Sequence, residues 1–158
     1  ADDYSPTVPV IADAIVRCTA LGWSVDKVCC IYPCVPFLQA SDLLEALRLF
    51  DSQDADYLFP IIEFPAAIQR ALRLGDDGLV TPFSSKHELA RSQDIEIAYH
   101  DAGQFYWGSR DSWANNSFIH SSGAGFVLPR ARAVDIDTDD DWMMAELMHR
   151  VIQSREES

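Results

Sequence analysis

The sequence predicts an α/β domain with a mostly parallel sheet, because short apolar runs alternate with amphipathic segments of helical spacing. A chain of 158 residues is long enough to bury one sizeable core, so we expect a single domain over residues 1–158. The runs with strand character are Lys27–Tyr32, Asp56–Glu63, Gln104–Trp107 and Phe126–Leu128.

Three helices are predicted where apolar residues recur at helical spacing after a hydroxyl residue that can cap the first turn. The first covers about residues 8–21 after Thr7, and the second runs from Ser41 to about residue 50. Thr138 begins the third, with Asp141 three residues later in a capping-box pattern. The face of this last helix that we expect to be buried consists of Met144, Leu147, Met148, Val151 and Ile152.

The stretch from about residue 64 to residue 98 is more irregular than the rest. It contains the turn sequence Gly75–Gly78, which predicts a hairpin. We therefore expect this stretch to be an excursion from the main sheet.

The composition excludes two classes of partner. A net charge of -13 argues against nucleic acid and against an anionic membrane surface, because both require clustered Lys and Arg. The longest apolar runs are also far shorter than the roughly 20 residues that span a bilayer.

The four cysteines lack zinc-ligand spacing and are interpreted as reduced thiols of a cytoplasmic protein. Cys29 and Cys30 are expected to point to opposite faces of one strand.

The sequence around Asp135 and Asp137 is a candidate metal site. In an extended segment the two carboxylates lie on the same face, where they suit a hard cation such as Mg²⁺. On spacing alone the pattern favours a solvated acidic turn before a helix, because a D-x-D pair by itself is a weak signal.

Residues 99–108 combine aromatic and hydrogen-bonding side chains, a mixture that suits a polyhydroxylated or acetamido sugar. Arg91 could pair with a carboxylate of that sugar. The alternative is structural: Phe105 and Trp107 would be core residues and His100–Asp101 a structural hydrogen bond. Gln69 and Arg70 follow a strand end and either face the site or form a surface turn.

Four segments together resemble the acylneuraminate cytidylyltransferases, also called CMP-sialic acid synthetases. They are Asp2–Thr7, Val28–Leu38, Tyr99–Gly108 and Asp135–Thr138, in that order. The HDAGQFYWG run is the most specific of them and resembles the pseudaminic acid branch. Sialic acid enzymes have an R-P-N-G-x-x-Y form there, which shares Gly103 and Tyr106. Tyr32 stands where those enzymes have a substrate-reading Gln, which favours a different sugar.

The resemblance implies a Rossmann-like nucleotidyltransferase fold whose protruding segment, about residues 64–98, takes part in a homodimer. It implies transfer of CMP from CTP to a nonulosonic acid, most of all pseudaminic acid, with release of pyrophosphate. Asp135 and Asp137 would be the catalytic Mg²⁺ ligands. The residues that would contact the substrate are Thr7, Tyr32, Gln69, Arg70, Arg91, Gln104 and Tyr106.

The chain begins at Ala1 without an initiator methionine, and its resemblance starts after the phosphate-binding loop of the family. We therefore expect a chain truncated at its N-terminus relative to the family. Two alternatives stay open: an inactive fragment that keeps the sugar site and the dimer surface, or the same reaction on sialic, legionaminic or 3-deoxy-octulosonic acid.

Overall fold

The computed structural model describes residues 4–116, 118–134 and 136–156, without the side chains of Ser92, Arg155 and Glu156. Its helices are α1 (Thr7–Ala20), α2 (Ala40–Ser52), α3 (Arg110–Asn115) and α4 (Asp139–Glu156). Its strands are β1 (Lys27–Ile31), β2 (Tyr57–Glu63), β3 (Leu72–Leu74), β4 (Val80–Pro82), β5 (Tyr99–Asp101), β6 (Phe105–Ser109) and β7 (Gly123–Val127). In this part of the chain no helix is both long and apolar enough to cross a bilayer.

The main sheet is mixed, so the α/β class is confirmed but the mostly parallel sheet is wrong. β6 lies between β1 and β2 and is antiparallel to both, and β5 is antiparallel to the far end of β2. Only the β2–β7 pairing in this sheet is parallel. The apolar runs could not reveal this, because a strand buried on both faces has the same composition in either direction.

A bulge joins β5 to β6 along one side of β2. Tyr57 pairs with Gly108 and Ile61 with Asp101, so the pairing shifts by three residues across residues 102–104. Gly103 has φ 65°, a left-handed conformation that favours glycine. The HDAGQFYWG run is therefore two short strands separated by this bulge.

Each face of the main sheet has its own apolar cluster. Phe105 and Leu58 lie with Phe50 of α2 on one face. Tyr57 and Trp113 belong to the cluster on the other face, with α1 and α3. Cys29 packs against the first cluster and Cys30 against the second, which confirms their opposite orientation.

The capping box of α4 is confirmed, whereas the other two caps are wrong. Thr138 Oγ1 accepts from Asp141 N at 3.3 Å, and Asp141 Oδ2 accepts from Thr138 N at 2.9 Å. α1 starts at Thr7 itself with Pro6 in the cap position, and the Thr7 hydroxyl bonds elsewhere. Ser41 lies inside α2, whose cap position is Gln39.

The expected buried face of α4 is also wrong. Met144, Leu147 and Val151 are 49%, 50% and 47% exposed, Met148 and Ile152 are only half-buried, and among the described side chains of the helix Ala145 is the buried apolar one. Helical spacing identified an amphipathic helix correctly, but it carries no information about which surface the apolar stripe meets.

The expected hairpin is confirmed in the segment of chain that connects β2 to β5. β3 and β4 form a separate two-stranded antiparallel sheet around Gly75–Gly78, where Gly78 has φ 79°. All residues of both strands are exposed.

Candidate functional site

The carboxyl ends of three strands meet at one edge of the main sheet. β1 and β2 are both antiparallel to β6, and β7 is parallel to β2, so β1, β2 and β7 run in the same direction. Tyr32 follows β1 directly, and its N–H donates to the Gln104 carbonyl in the bulge at 2.9 Å. Ligands gather at this edge in α/β sheets, so the bulge and the residues around it form the candidate site.

A row of hydrogen-bonding side chains crosses this edge. Thr7 Oγ1 lies 2.8 Å from Tyr32 Oη, and the Tyr32 and Tyr106 rings are 5.2 Å apart. The Tyr106 hydroxyl donates to Asp101 Oδ2 at 2.9 Å. His120 Nε2 lies 2.8 Å from the same oxygen. Three of the substrate residues expected from the resemblance, Thr7, Tyr32 and Tyr106, are thus brought together.

Tyr106 is held as a neutral hydroxyl. Burial, followed by the Asp101 charge and the hydrogen bond to it, raises the pKa of Tyr106 far above its usual value. A phenol of this kind binds by hydrogen bonding and does not supply a base near neutral pH.

A cavity of about 460 Å³ opens beside this row, between the start of α1 and the 3-10 turn at Ile119–Ser121. Thr7 and His120 contribute its polar groups near the row, and Val8 and Ile119 contribute apolar wall. A pocket with apolar walls and a few placed polar groups is typical of a small-molecule site.

A second polar cluster lies beside the bulge. Gln104 is 1% exposed, and its side-chain amide donates to the Arg132 carbonyl at 2.5 Å. Gln104 Oε1 is buried and has no hydrogen-bond partner among the residues that the structure describes. The Arg132 guanidinium donates to Asp42 Oδ2 at 2.6 Å and to Gln39 Oε1 at 2.9 Å. Gln104 therefore keeps an acceptor atom for which the described part of the chain offers no donor.

The remaining expected sugar contacts lie on the excursion between β2 and β5. Gln69 donates from its amide to the Glu96 carbonyl at 3.0 Å, and the Arg70 guanidinium donates to the Ala90 carbonyl. Arg70 also lines a second cavity of about 660 Å³, and Arg91 is exposed. The structure does not bring these three residues into the row at Tyr106.

Of the two expected metal ligands, the structure describes one, Asp137. Asp135 lies outside the part of the chain that the structure describes. Asp137 is exposed, lines a shallow depression of about 230 Å³ with Thr138 and Trp142, and donates from its backbone N–H to Asp141 Oδ2 at 3.2 Å. The exposed side chain of Asp137 offers carboxylate oxygens, the ligand type that suits Mg²⁺.

Sequence reasoning missed His120, Asp42 and Arg132. Nothing in the local pattern around His120 distinguishes it, because its partner Asp101 lies 19 residues away on another strand. The Asp42–Arg132 pair spans 90 residues. Asp101 was placed within a sugar-binding run, but its carboxylate binds Gly103 N, Tyr106 and His120. The expected His100–Asp101 contact involves only the Asp101 carbonyl.

Comparison with known proteins identifies relatives over nearly the whole chain. No protein-family model matches it. The pseudaminic acid cytidylyltransferase of Campylobacter jejuni serotype O:2 is 39% identical over 96% of this chain and 66% of its own length. Its counterpart from serotype O:23/36 is 38% identical over the same shares. The N-acylneuraminate cytidylyltransferase B of Danio rerio is 27% identical over 77% of the chain and 29% of its own length.

The names of these relatives agree with the family that the motifs suggested. The chain spans 66% of the length of the two Campylobacter proteins. Its identity to them is higher than its identity to the acylneuraminate enzyme of Danio rerio. The chain therefore belongs to the acylneuraminate cytidylyltransferase family, in the branch of the pseudaminic acid cytidylyltransferases.

Proposed function

We propose that the protein transfers CMP from CTP to pseudaminic acid and releases pyrophosphate. The observation that carries this proposal is the 39% identity over 96% of the chain to a relative named for that reaction. The mixed α/β sheet, with substrate residues at the carboxyl ends of its parallel strands, fits a Rossmann-like nucleotidyltransferase domain. We expect the reaction to take place in the cytoplasm.

The sugar would bind at the row formed by Thr7, Tyr32 and Tyr106. The cavity beside this row combines apolar wall with hydroxyl groups, as a ligand with both apolar and polar groups requires. Tyr106 would orient the sugar as a hydrogen-bonding group, because its raised pKa keeps the phenol protonated. The buried Gln104 Oε1 supplies a further acceptor nearby.

Asp135 and Asp137 would hold Mg²⁺. Both offer oxygen ligands only, and the described member of the pair is exposed at the start of α4. When bound, the metal would neutralise charge on the phosphate groups of the nucleotide. Arg70, Gln69 and Arg91 would approach the sugar from the excursion only if that segment, or a partner's, reaches the site.

The excursion over residues 64–98 would form a homodimer surface. Exposed apolar side chains cluster on its hairpin and flanks: Leu72, Leu74, Leu79, Val80 and Phe83. Apolar patches of this kind mark interaction sites, since leaving them in water is unfavourable. Leu74→Glu should lower the mass measured by light scattering, whereas Val16→Glu, at a similarly exposed apolar residue of α1 outside the excursion, should not. An unchanged mass in Leu74→Glu would argue against this surface.

The reaction is tested by measuring pyrophosphate release from CTP in the presence of Mg²⁺ and each of several nonulosonic acids. We expect turnover with pseudaminic acid and loss of turnover in Asp137→Ala, with Asp140→Ala as the matched control on the same helix start. Absence of turnover with every nonulosonic acid would refute the proposal. Turnover that survives Asp137→Ala would refute only the metal assignment.

A further inference from the structure

His120 and Asp101 form a histidine–carboxylate pair at the edge of the 460 Å³ cavity. His120 Nε2 lies 2.8 Å from Asp101 Oδ2. The carboxylate is itself held in place, because Oδ1 accepts from the Gly103 N–H at 2.8 Å and Oδ2 also accepts from the Tyr106 hydroxyl at 2.9 Å. The Phe59 ring packs edge-on against the imidazole, with 5.1 Å between the two ring centroids. The imidazole is therefore oriented from two sides.

This pairing leaves the second ring nitrogen of His120 available. A carboxylate accepts hydrogen bonds and cannot donate them, so a neutral imidazole at this distance carries its proton on Nε2 and has a bare lone pair on Nδ1. Nδ1 has no hydrogen-bond partner among the residues that the structure describes. The side chain is 68% exposed and lines the cavity, so a ligand in the cavity has access to the ring.

The wall of the cavity offers one group that titrates near neutral pH. Residues 6–9 and 118–121 line it, and among these described residues only His120 has a side chain that titrates in that range. The neighbouring Tyr106 stays protonated, because burial and the Asp101 charge raise its pKa. A carboxylate is a weaker base than an imidazole, and Asp101 already accepts three hydrogen bonds.

Few charged groups surround His120 in the described part of the chain. β5 contributes the Asp101 carboxylate, β6 the neutral Tyr106 and β2 the Phe59 ring. α1 faces the cavity with uncharged side chains. The Asp56 carboxylate, which precedes β2, accepts from side chains of α3 and of its C-terminal cap. Asp101 is therefore the charged group in contact with the imidazole.

We propose that His120 is the general base of the transfer reaction and that Asp101 is its positioning residue. The proposal rests on the proposed function for the identity of the substrates. His120 Nδ1 takes the proton of the anomeric hydroxyl of the sugar, and the oxygen of that hydroxyl forms the new bond to the α-phosphorus of CTP. The bond from this phosphorus to the bridging oxygen breaks, and its electron pair leaves with pyrophosphate. The exposed imidazolium then gives its proton to water.

The charge of the pair argues against the other role open to a histidine here, an anchor for the carboxylate of the sugar. Protonated His120 beside ionised Asp101 has no net charge, and neutral His120 leaves the pair negative. No Lys or Arg is among the described residues that line the cavity. A pair without net positive charge attracts an anion weakly, whereas an imidazole oriented by a carboxylate is the arrangement found in general bases.

The first test measures the rate of the chemical step in a single turnover with CTP, Mg²⁺ and pseudaminic acid as a function of pH. We expect the rate of the unmodified protein to rise with pH through the imidazole range, about pH 6–7. His120→Gln should lower the rate at about pH 8 by about 10²–10⁴-fold and abolish that rise. His149→Gln, at an exposed histidine of α4, should change neither. A rate or a pH profile that survives His120→Gln overturns the proposal.

The same single turnovers separate a base from an anchor. Gln keeps an acceptor oxygen, so the pseudaminic acid concentration that gives half the maximal rate should stay within about twofold in His120→Gln. It should also change little with pH in the unmodified protein. An anchor requires the imidazolium, so its loss would raise this concentration in His120→Gln and, as the pH rises, in the unmodified protein. That result contradicts the role of a base.

Asp101→Asn tests the positioning role. The Gly103 N–H holds the amide oxygen at the place of Oδ1, so the new NH₂ group donates to His120 Nε2 and the ring proton moves to Nδ1. The chemical step should then slow by at least roughly tenfold. Because Asp101 acts through His120, the double variant should be within about twofold of His120→Gln alone. A further loss in the double variant overturns the positioning role.

Long-range ¹H–¹⁵N NMR reads the tautomer of His120 without any turnover. We expect the Nε2–H form in the unmodified protein and the Nδ1–H form in Asp101→Asn. An Nδ1–H form in the unmodified protein refutes the base assignment alone. Absence of turnover with every nonulosonic acid refutes the proposed function, and this role with it. His120→Gln changes an exposed side chain, so the base assignment stays testable if Asp101→Asn does not fold.

Discussion

Gly108→Ala should be among the most destabilising small substitutions in the sheet. A Cβ at this position would lie 2.6 Å from Trp113 Nε1 and 2.8 and 2.9 Å from two ring carbons of Tyr57. Trp113 is completely buried, and its Nε1 donates to the Val28 carbonyl at 3.2 Å. Neither ring can move away without breaking its own contacts, so the clash must be relieved by the backbone.

The hydrogen bonds of Tyr57 set the size of the effect. Its hydroxyl lies 2.8 Å from the Ser112 carbonyl and 2.6 Å from the Asn116 carbonyl and shares its proton between them, which fixes the hydroxyl end of the ring. Overpacking of a rigid core costs about 3 kcal/mol. Alanine would otherwise gain ~0.5–1 kcal/mol over glycine in a strand, so the measured loss should be about 2 kcal/mol.

Urea unfolding of Gly108→Ala and Gly125→Ala tests this reasoning. The new Cβ at Gly125 would lie 2.4 Å from Ile61 Cδ1, the far end of a flexible side chain that can rotate away. We expect Gly125→Ala to lose less than about 1 kcal/mol, with similar denaturant slopes for both variants. Equal losses for the two substitutions would refute the argument from rigid neighbours.

Three further measurements follow from the buried and titrating groups. Arg132→Met should cost about 3 kcal/mol in urea unfolding, because it leaves the Asp42 carboxylate buried without its cation, and adding Asp42→Leu should recover much of that loss. Burial raises the pKa of Cys29 to about 12. At pH 8 a thiol reagent should therefore modify the exposed Cys34 first. The reaction of Cys29 should become faster as the pH rises toward its pKa. A hydrogen bond from the Thr138 hydroxyl of the capping box lowers the pKa of Asp141. The contribution of the Asp141 carboxylate to α4 is therefore present above pH 3.8 and is lost as the pH falls through the lowered pKa. Amide exchange should show fraying of the start of α4 in that range, and Asp141→Asn should abolish the pH dependence of the fraying.

Local chemistry made some elements predictable. The capping box at Thr138 and the turn at Gly75–Gly78 depend on residues three or four positions apart, so the sequence contains all the information they need. The opposite orientation of Cys29 and Cys30 follows from strand geometry alone. The HDAGQFYWG run pointed to the family, which the relatives then confirmed.

Long-range partners made other elements unpredictable. The direction of β6 depends on its pairing with β1 and β2, and its apolar composition is the same in either direction. Thr7 has the residue type of a helix cap, but its hydroxyl has a better partner in Tyr32, which is 25 residues away. The stripe on α4 is amphipathic by spacing, yet only the positions of the other elements determine whether it is covered.

The sequence alone therefore determined the α/β class, the positions of most helices and strands, and the family, because these depend on local spacing and on a few specific motifs. Only the tertiary structure placed Thr7, Tyr32, Tyr106, Asp101 and His120 in one row. Hydrogen bonds act over about 3 Å in space whatever the separation along the chain.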